Sequence, residues 1–141
     1  MPQRYPFKAL PSYPGMKPAD IAIWERFIKL YPDAYDSVMY NMQVGQGSAG
    51  QEHDDEDVQN GWHQLKCRKI DVVGFSGERV DVIELKPHAG PSAIGQVVGY
   101  IHLYHGYRDP HSSPNPVLIT DSNESDMDYL CARLNVRRVI V

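Results

Sequence analysis

The run Ile70-Asp71-Val72-Val73-Gly74-Phe75-Ser76-Gly77-Glu78-Arg79-Val80-Asp81-Val82-Ile83-Glu84-Leu85-Lys86 decides the fold. Two strand-like halves rich in β-branched residues flank Ser76-Gly77-Glu78, a hairpin turn signal. The first half reaches back to Leu65 and reads as one strand, or as two separated by a bend. If the loop is Gly77-Glu78, a type II′ pair with glycine leading, Ser76 pairs with Arg79, Val73 faces Val82 and Asp71 faces Glu84. A Ser76-Gly77 loop leaves Asp71 diagonal to Glu84 instead. Both even loops put Asp71, Glu84 and Lys86 on one face. A three-residue loop without a bulge turns Asp71 to the other.

Downstream, Pro87 to Pro91 is a loop and Ser92 a candidate cap for a helix over Ala93–Tyr104, with Ile94, Val97, Val98 and Ile101 on one face. A loop over Pro110–Pro116, a strand over Val117–Thr120, a helix over Ser125–Leu134 and a strand over Val136–Val141 follow. Upstream, Asp20 can cap a helix that carries Ile23, Phe27 and Leu30 at helical spacing and stops at Pro32. Tyr35–Val44 fits neither period. Pro2, Pro6, Pro11, Pro14 and Pro18 make residues 1–18 an extended arm on the surface, anchored by Tyr5, Phe7, Leu10 and Tyr13. Residues 45–61 are Gly/Ser-rich and then acidic, with almost nothing to bury, so a flexible acidic loop is expected. A calcium or magnesium loop there lacks the alternating ligand spacing of an EF-hand. Strands alternating with helices imply an α/β fold, its sheet buried on both faces, as one domain over residues 19–141.

A chain of 141 residues has room for one domain and buries enough surface to need no structural metal or disulfide framework. With 42% hydrophobic and 23% charged residues it is neither collagen-like, coiled-coil nor wholly disordered. A net charge of -4 argues against a generic basic coat for nucleic acid or anionic membrane, but a local patch can still bind nucleic acid. Cys67 and Cys131 form no metal-ligand cluster and read as small core hydrophobes. The N-terminus has no apolar signal core and no run approaches a membrane span, so a cytoplasmic protein is expected.

Asp71, Glu84 and Lys86 are charged groups in runs otherwise fit for buried strands. Two carboxylates on one face repel, and one ammonium only partly offsets this. The arrangement makes sense if Asp71 and Glu84 hold Mg²⁺ or Mn²⁺, which takes hard oxygen ligands together with substrate phosphate. Such an ion stabilises charge on a scissile phosphate and acidifies an attacking water, with Lys86 orienting that water or stabilising developing charge. The plain alternative is a salt-bridged carboxylate–lysine cluster at the sheet edge.

Asp71 after a strand, Glu84-Leu85-Lys86 on the next, and then a helix and a β-α-β tail resemble the PD-(D/E)xK nuclease superfamily. The run Gln96-Val97-Val98-Gly99-Tyr100 is similar to the Gln-x-x-x-Tyr motif of the RecB-like exonuclease branch. The resemblance covers residues 65–141. It implies a restriction-endonuclease-like core with a mixed central sheet flanked by helices, and a catalytic triad of Asp71, Glu84 and Lys86. Gln96 and Tyr100, one helical turn apart, would position substrate. In the family an acidic residue of the first helix often completes the metal site, and Glu25 is the candidate here; an exposed helix glutamate is the alternative. Two departures are the missing proline before Asp71 and Pro87 directly after the lysine.

His88 could contact phosphate or serve as a base, though a loop histidine usually faces solvent. His102 and His105 lack a third ligand at sensible spacing. Tyr104-His105-Gly106-Tyr107-Arg108 could stack on unpaired bases. Arg68, Lys69, Arg79, Arg133, Arg137 and Arg138 supply positive charge for a backbone track. The expectation is a metal-dependent DNA nuclease that hydrolyses phosphodiester bonds by metal-activated water, alone, as a homo-oligomer or within a larger DNA-processing complex. The competing expectations are a non-catalytic nucleic-acid-binding or assembly module on the same fold, and an unrelated α/β protein in which Asp71 and Glu84 point apart.

Overall fold

The structure, a computed structural model, describes residues 3–46 and 68–141. In chain order the elements are β1 (Arg4–Pro6), α1 (Pro18–Leu30), β2 (Ser37–Val44), β3 (Arg68–Ser76) and β4 (Arg79–Leu85), then α2 (Pro91–Tyr107), β5 (Asn115–Thr120), α3 (Met127–Arg133) and β6 (Arg137–Ile140). The six strands form one mixed sheet in the order β1-β2-β3-β4-β5-β6. The first three pairings are antiparallel and the last two parallel. The change falls at β4 because α2 carries the chain back over the sheet and starts β5 in the same direction.

The helices cover both faces of the sheet. On one, Ile23, Trp24 and Phe27 of α1 join Val72, Ile83, Val117 and Ile119. On the other, Ile94 and Val97 of α2 and Met127 of α3 join Val73, Val82 and Leu118. This two-sided burial is why β4 and β5 read as near-continuous apolar runs. The hairpin closes through Gly77-Glu78, with Ser76 opposite Arg79 and Val73 opposite Val82. Gly77 sits at φ +58 and donates its N–H to Asp36 Oδ2 at 2.8 Å.

Tyr35–Val44, which fits neither period in the sequence, contains β2. Its alternation slips at Asn41, which lies at φ +54: Tyr40 packs in the α1 layer and Met42 in the α2 layer. By the register of β2 on β3, Asn41 lies opposite Asp71, and β3 slips in the same place, between Ile70 and Val72. A paired kink of this kind erases the period-two signal.

The arm is not merely laid on the surface. Arg4–Pro6 is an edge strand of the sheet, a position that tolerates Pro6, and Phe7 and Tyr13 are buried. Phe7 meets Trp24 edge-on at 5.6 Å and Tyr35 at 5.4 Å. Helix α1 starts at Pro18, with Lys17 at the cap position, so Asp20 lies inside the first turn and does not cap. Apart from Gly45 and Gln46, the acidic loop expected over residues 45–61 falls outside the described residues, as do Leu65 and Cys67. Cys131 is a buried free thiol. Among the described residues no helix is long and apolar enough to cross a membrane.

Candidate functional site

The ladder between β3 and β4 ends at Val72 and Ile83, and the same register sets Asp71 opposite Glu84. There the strands fork. In place of another ladder bond, the Leu85 N–H donates to Asp71 Oδ2 at 2.9 Å, so a side chain fills the opening. Glu84 is 8% exposed and shares the α2 face of β4 with Val82. Each carboxyl group is close enough to the other to shift its titration. Lys86, exposed and one residue beyond β4, is fixed through its N–H to the Ile119 carbonyl at 3.1 Å.

Burial pushes Glu84 up to about 8, and the charges of Asp71 and Asp20 add to the rise while Lys86 opposes it. Burial also pushes Asp71 up to about 6, against the Leu85 N–H. Both carboxyl groups are therefore held above the ordinary carboxylate range, Glu84 the higher of the two. Burial raises Asp20 as well, opposed by the positive charges of Lys17 and Lys86. Asp20 is thus the third carboxylate within electrostatic reach of the pair.

That place was expected for Glu25. Five residues further along α1, Glu25 lies about 140° round the helix from Asp20. It is exposed, and it accepts a hydrogen bond from Tyr13 Oη at 3.2 Å. Reading Asp20 as a cap hid its role; the signal that could have found it was Pro18, which marks a helix start two residues earlier.

His88 is turned elsewhere too. It is exposed at φ +49, its N–H donates to Asp121 Oδ1 at 2.8 Å, and its Nδ1 lies 3.1 Å from Ser122 Oγ. Because the Ser122 hydroxyl donates to Glu124 Oε1, Nδ1 is the donor in that contact. His88 is thereby tied to the loop after β5 and not to the carboxylates.

Gln96 and Tyr100 lie on α2, Gln96 exposed and Tyr100 half-buried. Burial raises the Tyr100 hydroxyl, the charges of Glu84 and Asp71 add to this, and that of Arg68 opposes it. Several expected track residues are committed internally. Arg79 donates to the Ala34 carbonyl, and Arg138 to Asn123 and Asp128. Arg108 clamps the Gln43 carbonyl through two bonds of 2.8 and 2.6 Å. His105 Nδ1 lies 2.8 Å from the Ser112 carbonyl. On the opposite face, buried Asp81 accepts from Tyr35 Oη at 2.7 Å and Asn115 Nδ2 at 3.2 Å, a structural network.

The donor chemistry of the pair fits a hard divalent cation: two adjacent carboxyl groups whose mutual repulsion Lys86 offsets only in part. Among the described residues no three His, Cys, Asp or Glu side chains are already grouped as a cation site. Comparison of the chain with protein-family models, with curated proteins and with solved structures finds no match.

Proposed function

We propose that this chain is a metal-dependent deoxyribonuclease of the PD-(D/E)xK type with a restriction-endonuclease-like core, working on DNA in the cytoplasm. The observation that carries the reading is the pairing of half-buried Asp71 with buried Glu84 at the end of the β3–β4 ladder, with Lys86 directly after β4. The helix and β-α-β tail that follow this hairpin add support. Asp71 and Glu84 would hold Mg²⁺ or Mn²⁺, with Asp20 adding negative charge. When bound, such an ion supplies positive charge against a phosphodiester and acidifies a water. Lys86 keeps a cation beside the reacting phosphate and can orient the attacking water. The Tyr100 hydroxyl would hold a phosphate oxygen of the substrate.

Cleavage of linear, circular and single-stranded DNA, each with Mg²⁺, Mn²⁺ or EDTA, tests this. The parent should cut only with metal, and Glu84→Gln and Lys86→Ala should each lose ~100-fold or more while keeping the parental circular-dichroism spectrum. Variants that cut as fast as the parent would sink the assignment. A second reading, a non-catalytic nucleic-acid module, is favoured by the bond that commits one Asp71 oxygen to the Leu85 N–H. Calorimetric Mn²⁺ titration separates the two, because the binding module needs no Glu84-dependent metal uptake.

A further inference from the structure

A glycine inside a helix costs roughly 0.5–1 kcal/mol relative to alanine, so one kept there asks for a reason. Helix α2 has Gly95 and Gly99 in its interior. Neither has positive φ, and a Cβ at either would meet nothing within 4 Å. Backbone geometry and internal packing therefore do not require glycine at these positions. Both instead line a groove of about 320 Å³ along the outer side of α2, with Arg68, Gln96, Tyr100 and Leu103. The missing side chains deepen it.

The walls divide by chemistry. Leu103 and the Tyr100 ring offer apolar and stacking surface, while Gln96 and Arg68 offer hydrogen-bond donors. Arg68 is exposed and, among the described residues, makes no hydrogen bond or ion pair, in contrast to Arg79, Arg108 and Arg138. The groove also lies near the carboxylates, since its Arg68 precedes Asp71 by three residues on β3. Its size is at the low end of the ~300–1,000 Å³ of small-molecule sites. One nucleotide fills such a space; a base-paired duplex does not enter it.

We infer that this groove seats one unpaired nucleotide of a DNA strand, its base against Tyr100 and its phosphate at Arg68, next to the Asp71–Glu84 pair. The inference rests on the nuclease reading above and gives it a substrate class: single-stranded or frayed DNA. Stacking of a base on an aromatic ring tolerates any sequence, so strandedness and not sequence is selected.

Fluorescence anisotropy in EDTA, with a labelled single-stranded 12-mer and the same sequence as a blunt duplex, tests the groove without any cleavage. The single strand should bind at least tenfold more tightly than the duplex. Gly99→Leu, which fills the groove while raising helix propensity, should remove about tenfold of that affinity and leave duplex binding unchanged. Arg68→Gln should weaken single-strand binding and reduce the slope against log salt by about one. A duplex bound as tightly as the single strand, or both variants keeping parental affinity, overturns the inference. Failure of the nuclease reading registers separately, as absence of metal-dependent cleavage by the parent, and leaves the binding result to decide the groove.

Discussion

A carboxyl group buried in a strand loses its hydration, and a second beside it adds repulsion. Both effects raise Glu84, and the sign of the resulting pH dependence follows. Glu84 ordinarily titrates at 4.5 and is raised to about 8 in the fold, so the folded chain binds more protons than the unfolded one between these values. The stabilisation is complete below the unfolded value and is lost as pH rises toward 8. In metal-free protein, Glu84→Gln should therefore be more stable than the parent at pH 8, by roughly 1–3 kcal/mol, and lose this advantage at pH 4. Urea midpoints across that range would show it; parallel curves for the two proteins would contradict it. The pair itself was legible in the sequence, because hairpin arithmetic alone sets Asp71 opposite Glu84. Asp20 was not, since its nearness to the pair depends on where α1 docks, which no local pattern encodes.

Among the elements, the hairpin, α1, α2, β5 and β6 follow from period and turn chemistry, but neither expected cap holds: Lys17 and Gly90 take the cap positions, and Asp20 and Ser92 lie inside their helices. Strand β2 does not, because the kink at Asn41 and its partner kink at Asp71 are made by two strands together. The arm escaped for a related reason: prolines argue against a central strand but say nothing against an edge strand. Glycines separate two kinds of element. On β3, a Cβ at Gly74 would lie 2.6 Å from the Tyr35 ring, and that ring is held by its hydroxyl on Asp81. Gly74→Ala should thus destabilise by roughly 1–3 kcal/mol, through overpacking. Gly95→Ala on α2 meets open space and should stabilise by roughly 0.5–1 kcal/mol. Chemical denaturation of the two variants should move in opposite directions. A shift of the same sign in both would contradict the packing described for one of them.

At the scale of the whole molecule, the proposed cation at Asp71 and Glu84 would offset part of the net charge of -4. A ligand that binds only the folded chain stabilises it by about 2.7 kcal/mol at one hundred times its dissociation constant. For a domain of this size, saturating Mn²⁺ should raise Tm by roughly 5–10 °C. Calorimetry at pH 7 in buffers of different ionisation enthalpy should also register proton release on binding, because Glu84, raised in the free protein, must ionise to hold the cation. No release, or an equal Tm rise in Glu84→Gln, would place the ion elsewhere.

The Gly77-Glu78 turn has a kinetic consequence. Asp71 and Glu84 lie on the two arms of one hairpin, whose closure is a microsecond event that needs no distant partner. Asp20 reaches them only after the long-range step that lays α1 on the sheet, and β1 must find β2 from across α1. The two metal-binding candidates are therefore expected to meet early in refolding, and their electrostatic surroundings to be completed last.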